Sequence, residues 1–124
     1  MMKASELEND LAQFNGTEKY YNYNLFGSKI FLTDGVKYLA ENAQCYWLID
    51  AILSYQPKCK KDKMLSQMQF WTLKTNTEKH KAILTCERDS DDIAFTQEIP
   101  YTDFPLNEIK IWIENGVMCL PQER

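Results

Sequence analysis

Apolar residues recur at helical spacing in the first half of this chain and at alternate positions in the second. Leu7, Leu11 and Phe14 fall at i, i+4 and i+7 behind Ser5-x-x-Glu8, a capping box, and Asn15-Gly16 follows as a stop signal. The spacing predicts a helix over residues 5–14. Residues 19–33, KYYNYNLFGSKIFLT, are rich in Tyr, Phe and Ile and are broken by Gly27-Ser28, which predicts two short strands joined there. Thr33-Asp34-Gly35 caps a second predicted helix over 34–43, where Val36, Leu39, Ala40 and Ala43 share a face. A third, over 46–55, is apolar nearly all round: Leu48, Ala51, Ile52 and Tyr55 on one side, Trp47, Ile49 and Leu53 on much of the other. Such a helix is buried, with Trp47 and Leu48 in the core. Pro57 ends it, and the lysine-rich KCKKDK after it reads as a solvated loop.

From Met64 the period becomes 2. Residues 67–74, 81–88 and 93–99 read as strands joined by short polar turns, the pattern of an antiparallel meander. Residues 103–116, DFPLNEIKIWIENG, fit either a helix capped by Asp103 and ended by Gly116 or a strand. The strict alternation of Ile109, Ile111 and Ile113 and the turn dipeptide Asn115-Gly116 before VMCL favour a hairpin. The expected architecture is α+β: N-terminal helices packed on a C-terminal antiparallel β-meander, in a single domain spanning residues 1–124.

Length and composition agree. The chain has 124 residues, 44% hydrophobic and 26% charged, with only four Gly and four Pro, enough for a core of its own. The N-terminal MMKASELENDLAQF lacks the apolar centre of a signal peptide, and no apolar run reaches the length of a membrane span. A soluble cytoplasmic protein is expected. Net charge is −4 and the pI about 5.0, which argues against a dedicated nucleic-acid binder. The charge is blocked: residues 1–55 carry −3, 56–86 carry +5 and 87–124 carry −6.

Candidate chemistry is sparse. Cys45, Cys59, Cys86 and Cys119 form no C-x-x-C pair, so free buried thiols are expected rather than a zinc or redox site. His80, flanked by Lys79 and Lys81, is the only histidine, which excludes a two-histidine metal site. No Walker A, G-x-G-x-x-G or G-x-S-x-G pattern occurs. Glu108-Ile109-Lys110 reads E-x-K downstream of Asp89, Asp91 and Asp92, a pattern some metal-dependent nucleases use, but three letters recur by chance. No catalytic residue, cofactor or metal is therefore assigned. Asp50, inside WLIDAIL, is the most informative carboxylate, because burying a charge is costly unless it is hydrogen-bonded. It either faces a polar rim, accepts a bond from a neighbour such as a tyrosine hydroxyl, or lines a cleft as a site candidate. Seven tyrosines, with Tyr20, Tyr21 and Tyr23 clustered, suit a contact surface.

The segments FLTDGVKYLAENAQCYWLIDAILSYQ, AILTCERDSDDIAFTQEIPYTDFPLNEIKIWIENGV and CLPQE resemble a family of short uncharacterised bacterial, phage and mobile-element proteins, met in cyanobacteria among others and carrying a domain-of-unknown-function label. The resemblance covers residues 11–123. It implies an intact domain and a mobile-genome setting, and it brings no catalytic residue. Two functions follow as expectations. The first is a small non-catalytic protein-binding module, such as a mobile-element regulator or an inhibitor of a host defence enzyme. The alternative is a small enzyme or ligand-binding protein with a pocket around Asp50. The sequence carries no signal for oligomeric state.

Overall fold

The computed structural model describes residues 2–25 and 27–124. Met1 and Phe26, the latter within the stretch predicted as two strands, lie outside the described residues. Helix α1 is Ala4–Leu11, strands β1 and β2 are Tyr21–Leu25 and Ser28–Leu32, and helices α2, α3 and α4 are Asp34–Asn42, Tyr46–Ser54 and Gln56–Cys59. Strands β3 to β7 follow as Met68–Asn76, Lys81–Asp89, Asp92–Ile99, Glu108–Glu114 and Val117–Cys119, and a 3-10 turn closes at Pro121–Glu123.

All seven strands form one sheet in the order β1-β2-β7-β6-β3-β4-β5. The predicted meander is present as β3-β4-β5 only. The strand β6 returns over residues 100–107 to pair antiparallel with β3 rather than extending the meander past β5. The order β6-β3-β4-β5 is that of a Greek key. The N-terminal hairpin joins the same sheet, because β2 pairs in parallel with β7, Phe31 opposite Val117 and Leu32 opposite Met118. The sheet is therefore mixed. A local reading of periodicity sees hairpins but not pairings between distant segments, which is why these two were missed.

Alternation sorts the sheet into two faces. Leu32, Trp71, Leu73, Leu84, Ile111 and Met118 point to the helices and are buried with Leu7, Leu39, Leu48 and Ile52 in one cluster. The opposite face, carrying Lys74, Ile83, Glu108 and Lys110, is open to solvent.

Local corrections have local causes. Ser5 lies inside α1, whose N-cap is Lys3 without a side-chain bond, so no capping box forms, and the helix ends at Leu11, before Asn15-Gly16. Thr33 does cap α2, accepting from the Val36 N–H at 3.4 Å. Pro57 does not stop the chain's helical path but sits in the first turn of α4, where its missing N–H costs nothing. Cys59 of KCKKDK is buried rather than solvated. Trp47 is half-buried at the rim of the core, and Trp71, 1% exposed, is the central tryptophan. The hairpin after residue 103 forms with Asn115 and Gly116 at φ +50° and +81°, the left-handed pair that a tight two-residue turn needs.

Candidate functional site

Strand β1 is an edge strand whose Tyr21, Tyr23 and Leu25 face inward at a period of two. The Tyr23 hydroxyl donates to Asp50 Oδ1 at 2.5 Å, and the Tyr46 ring stacks on Tyr23 with centroids 5.8 Å apart. Burial first, then the bond to Asp50, pushes the Tyr23 phenol up to about 12. Asp50 is half-buried on α3, beside the face formed by Leu48, Ile49, Ile52 and Leu53. Its place in an apolar segment is thus explained by a tyrosine partner.

Two residues earlier, Tyr21 donates to Asp34 Oδ1 at 3.0 Å, at the first turn of α2. The other Asp34 oxygen accepts from the Glu18 N–H at 2.9 Å, and the Asp34 N–H donates to Thr17 Oγ1, so the loop before β1 is tied to the start of α2. The Glu18 N–H, foremost, holds the Asp34 carboxyl below the usual carboxylate range. Lys37, one turn on, places its ammonium 4.2 Å from the centre of the Tyr21 ring and 3.7 Å from Glu41 Oε1.

These groups surround a hollow of about 490 Å³ between α1, β1 and α2, with Phe14, Glu18, Tyr21, Asp34, Tyr38 and Glu41 among its walls. A second hollow of about 420 Å³ shares Phe14 and Tyr38 and adds Asp10, which accepts from the Tyr38 hydroxyl at 2.5 Å. Phe14 and Tyr38 pack with centroids 5.4 Å apart. Four carboxylates, those of Asp10, Glu18, Asp34 and Glu41, face one ammonium here, alongside three aromatic rings. Aromatic faces and carboxylates together favour an ammonium or guanidinium group.

Of the candidates drawn from sequence, the structure brings Tyr23 to Asp50 and Tyr21 to the hollow. Tyr20, 58% exposed, stands apart from both pairs. Asp50 lines neither hollow. Sequence reasoning missed Asp10, Phe14, Lys37 and Tyr38 as a group. Tyr38 and Asp10 are 28 residues apart on different helices, and no spacing signals such a pairing.

The other groups remain separate. His80 is exposed in the β3–β4 turn at φ +56°, its ring 5.8 Å from that of Tyr101. All four cysteines are free and buried. Burial raises the Cys45 and Cys86 thiols to about 12 and those of Cys59 and Cys119 to about 11, far from a nucleophile's range. Glu108 and Lys110 lie on the open sheet face, where a hollow of about 380 Å³ also receives Asp91. Among the described residues, no three of His, Cys, Asp and Glu are grouped to hold a metal ion. No helix of the described residues is long and apolar enough to cross a membrane.

A model for a family of unknown function, DUF6876, matches residues 5–124. No curated protein and no solved structure matches this chain.

Proposed function

Because the chain belongs to the DUF6876 family, whose function is unknown, we propose that it is a small non-catalytic protein-binding module that takes a basic side chain of its partner into the hollow between α1, β1 and α2. The observation that carries this reading is internal. Lys37 already rests its ammonium on the Tyr21 ring and near Glu41, so the hollow accommodates a cation by both cation–π and carboxylate contacts. Three carboxylates exceed what one lysine balances, which leaves room for a second cation from outside.

The partner is a protein in the cytoplasm. Phosphate would be repelled from the hollow, and the chain's net charge of −4 disfavours nucleic acid generally. The resemblance to phage and mobile-element proteins supports reading the module as a mobile-element regulator, or an inhibitor of a host defence enzyme whose basic surface it occupies. The cleft alternative around Asp50 has less support, since Tyr23 occupies that carboxylate.

Capture of partners from the native cell with wild-type protein, the double variant Glu18→Gln/Glu41→Gln, and Asp50→Asn tests the reading. A partner kept by wild type and Asp50→Asn but released by the double variant supports it. Equal retention by the double variant, or loss on folded Asp50→Asn alone, refutes it.

A further inference from the structure

On β6 and β4 the open face of the sheet carries charges of opposite sign on either side of one line. Strand register aligns Ile109, Leu73, Leu84 and Gln97 in one row across β6, β3, β4 and β5. One residue to either side of that row, the side chains point to the open face. On β6 these are Lys110 and Glu108, on β3 Thr72 and Lys74, on β4 Thr85 and Ile83, and on β5 Thr96 and Glu98. Three residues to either side on β4 lie Glu87 and Lys81. At equal distances from one line, acid on one side answers base on the other in both β6 and β4.

We propose that this face is a two-fold interface with a second copy of the chain. A two-fold axis along the row sets Lys110 of each copy opposite Glu108 of the other, and Glu87 opposite Lys81. It also sets Ile83, 47% exposed, over Thr85 of the other copy, Lys74 over Thr72 and Glu98 over Thr96. Such an isologous contact satisfies four ion pairs from two kinds and closes on itself, so the assembly stops at two. Two sheets packed face to face lie about 10 Å apart, a gap that lysine and glutamate side chains bridge. The helices on the far side give the dimer four layers, helix, sheet, sheet, helix. The pattern accounts for E-x-K on β6 as a pairing device, with the two charges one residue either side of the axis. The inference is independent of the hollow, which opens on the helix side.

Sedimentation equilibrium on the whole chain, across the micromolar to millimolar range, tests it. Wild type is expected to reach twice its 14.6 kDa mass. Glu108→Lys and Lys110→Glu each place like charges across the axis and are expected to weaken self-association at least about tenfold. An equimolar mixture of the two variants is expected to restore a one-to-one dimer, since every lysine then faces a glutamate. Should either variant fail to fold, Lys81→Glu and Glu87→Lys form an equivalent pair. Wild type that stays monomeric, single variants that associate like wild type, or folded variants that stay apart when mixed would each overturn the proposal. Binding at the hollow, read by Glu18→Gln/Glu41→Gln, is unaffected by any of these results.

Discussion

The carboxylate of Glu123 lies where a side chain on Gly35 would begin: a Cβ at residue 35 would stand 2.5 Å from Glu123 Oε1. The same carboxylate, 8% exposed, accepts from Thr33 Oγ1 at 2.6 Å, the Gly35 N–H at 2.8 Å and the Leu120 N–H at 3.0 Å. It sits over the first turn of α2, where backbone N–H groups have no helical partner and the helix dipole favours an anion. The glycine is required here for space rather than for an unusual backbone angle.

Gly35→Ala is expected to cost about 1–3 kcal/mol by crowding this carboxylate. Glu123→Ala is expected to cost about 2–4 kcal/mol by leaving buried donors without an acceptor. Urea unfolding of both and of the double variant checks the shared cause. The double variant should lose clearly less than the sum, because alanine at 35 fits once the carboxylate is gone.

Trp71 and Trp47 separate core from rim. Trp71, whose Nε1–H donates to Gln69 Oε1 at 2.8 Å, is enclosed, and Trp71→Ala is expected to destabilise by about 3–5 kcal/mol. Trp47→Ala is expected to lose clearly less, because part of its side chain stays in water at the rim of the core. Equal losses in thermal or urea unfolding would contradict that assignment.

These cases mark what could be read from sequence and what could not. The hairpin at Asn115-Gly116, the cap at Thr33 and the strand through residues 67–74 are short-range consequences of turn chemistry and side-chain period, and all were legible. Leu48 is in the core as read, but Trp47 is at its rim, because the rotation of α3 is set by the sheet beneath it and periodicity leaves it open when a helix is apolar nearly all round. Asp50 was legible as a carboxylate in need of a partner, while the identity of Tyr23 as that partner was not. Glu123 drew no attention because its donors, Thr33 and Gly35, lie 90 and 88 residues away.

Tyr23 makes stability depend on alkaline pH. Its phenol titrates near 12 in the folded chain against about 10 when unfolded, so the folded state holds this proton more tightly. The resulting stabilisation is fully present below pH 10 and is lost as pH rises from 10 towards 12. Tyr23→Phe should flatten that part of the stability profile, at a cost of about 1 kcal/mol at neutral pH for the lost bond to Asp50. A profile unchanged by the substitution would show that Tyr23 is not the group responsible.

The cysteines should be silent. Burial keeps all four as thiols, so a disulfide-exchange reagent is expected to label native protein only as fast as the chain opens, with rates that rise in urea. Neither reductant nor chelator should move the melting temperature by more than a degree or two. Rapid labelling in the native state would mean that a cysteine is more exposed than this fold allows.

The parallel pairing of β2 with β7 bears on how the chain is made. A ribosome delivers β2 early, with β1 ready on one side, but the strand for its other side emerges only after α2, α3 and the whole Greek key. Until then the Phe31 N–H and the Thr33 N–H, which finally donate to the carbonyls of Gly116 and Met118, face solvent or the wrong neighbour. A nascent chain stalled before residue 116 therefore presents a sticky, half-satisfied hairpin, and such intermediates are natural clients for a chaperone that shields strand edges.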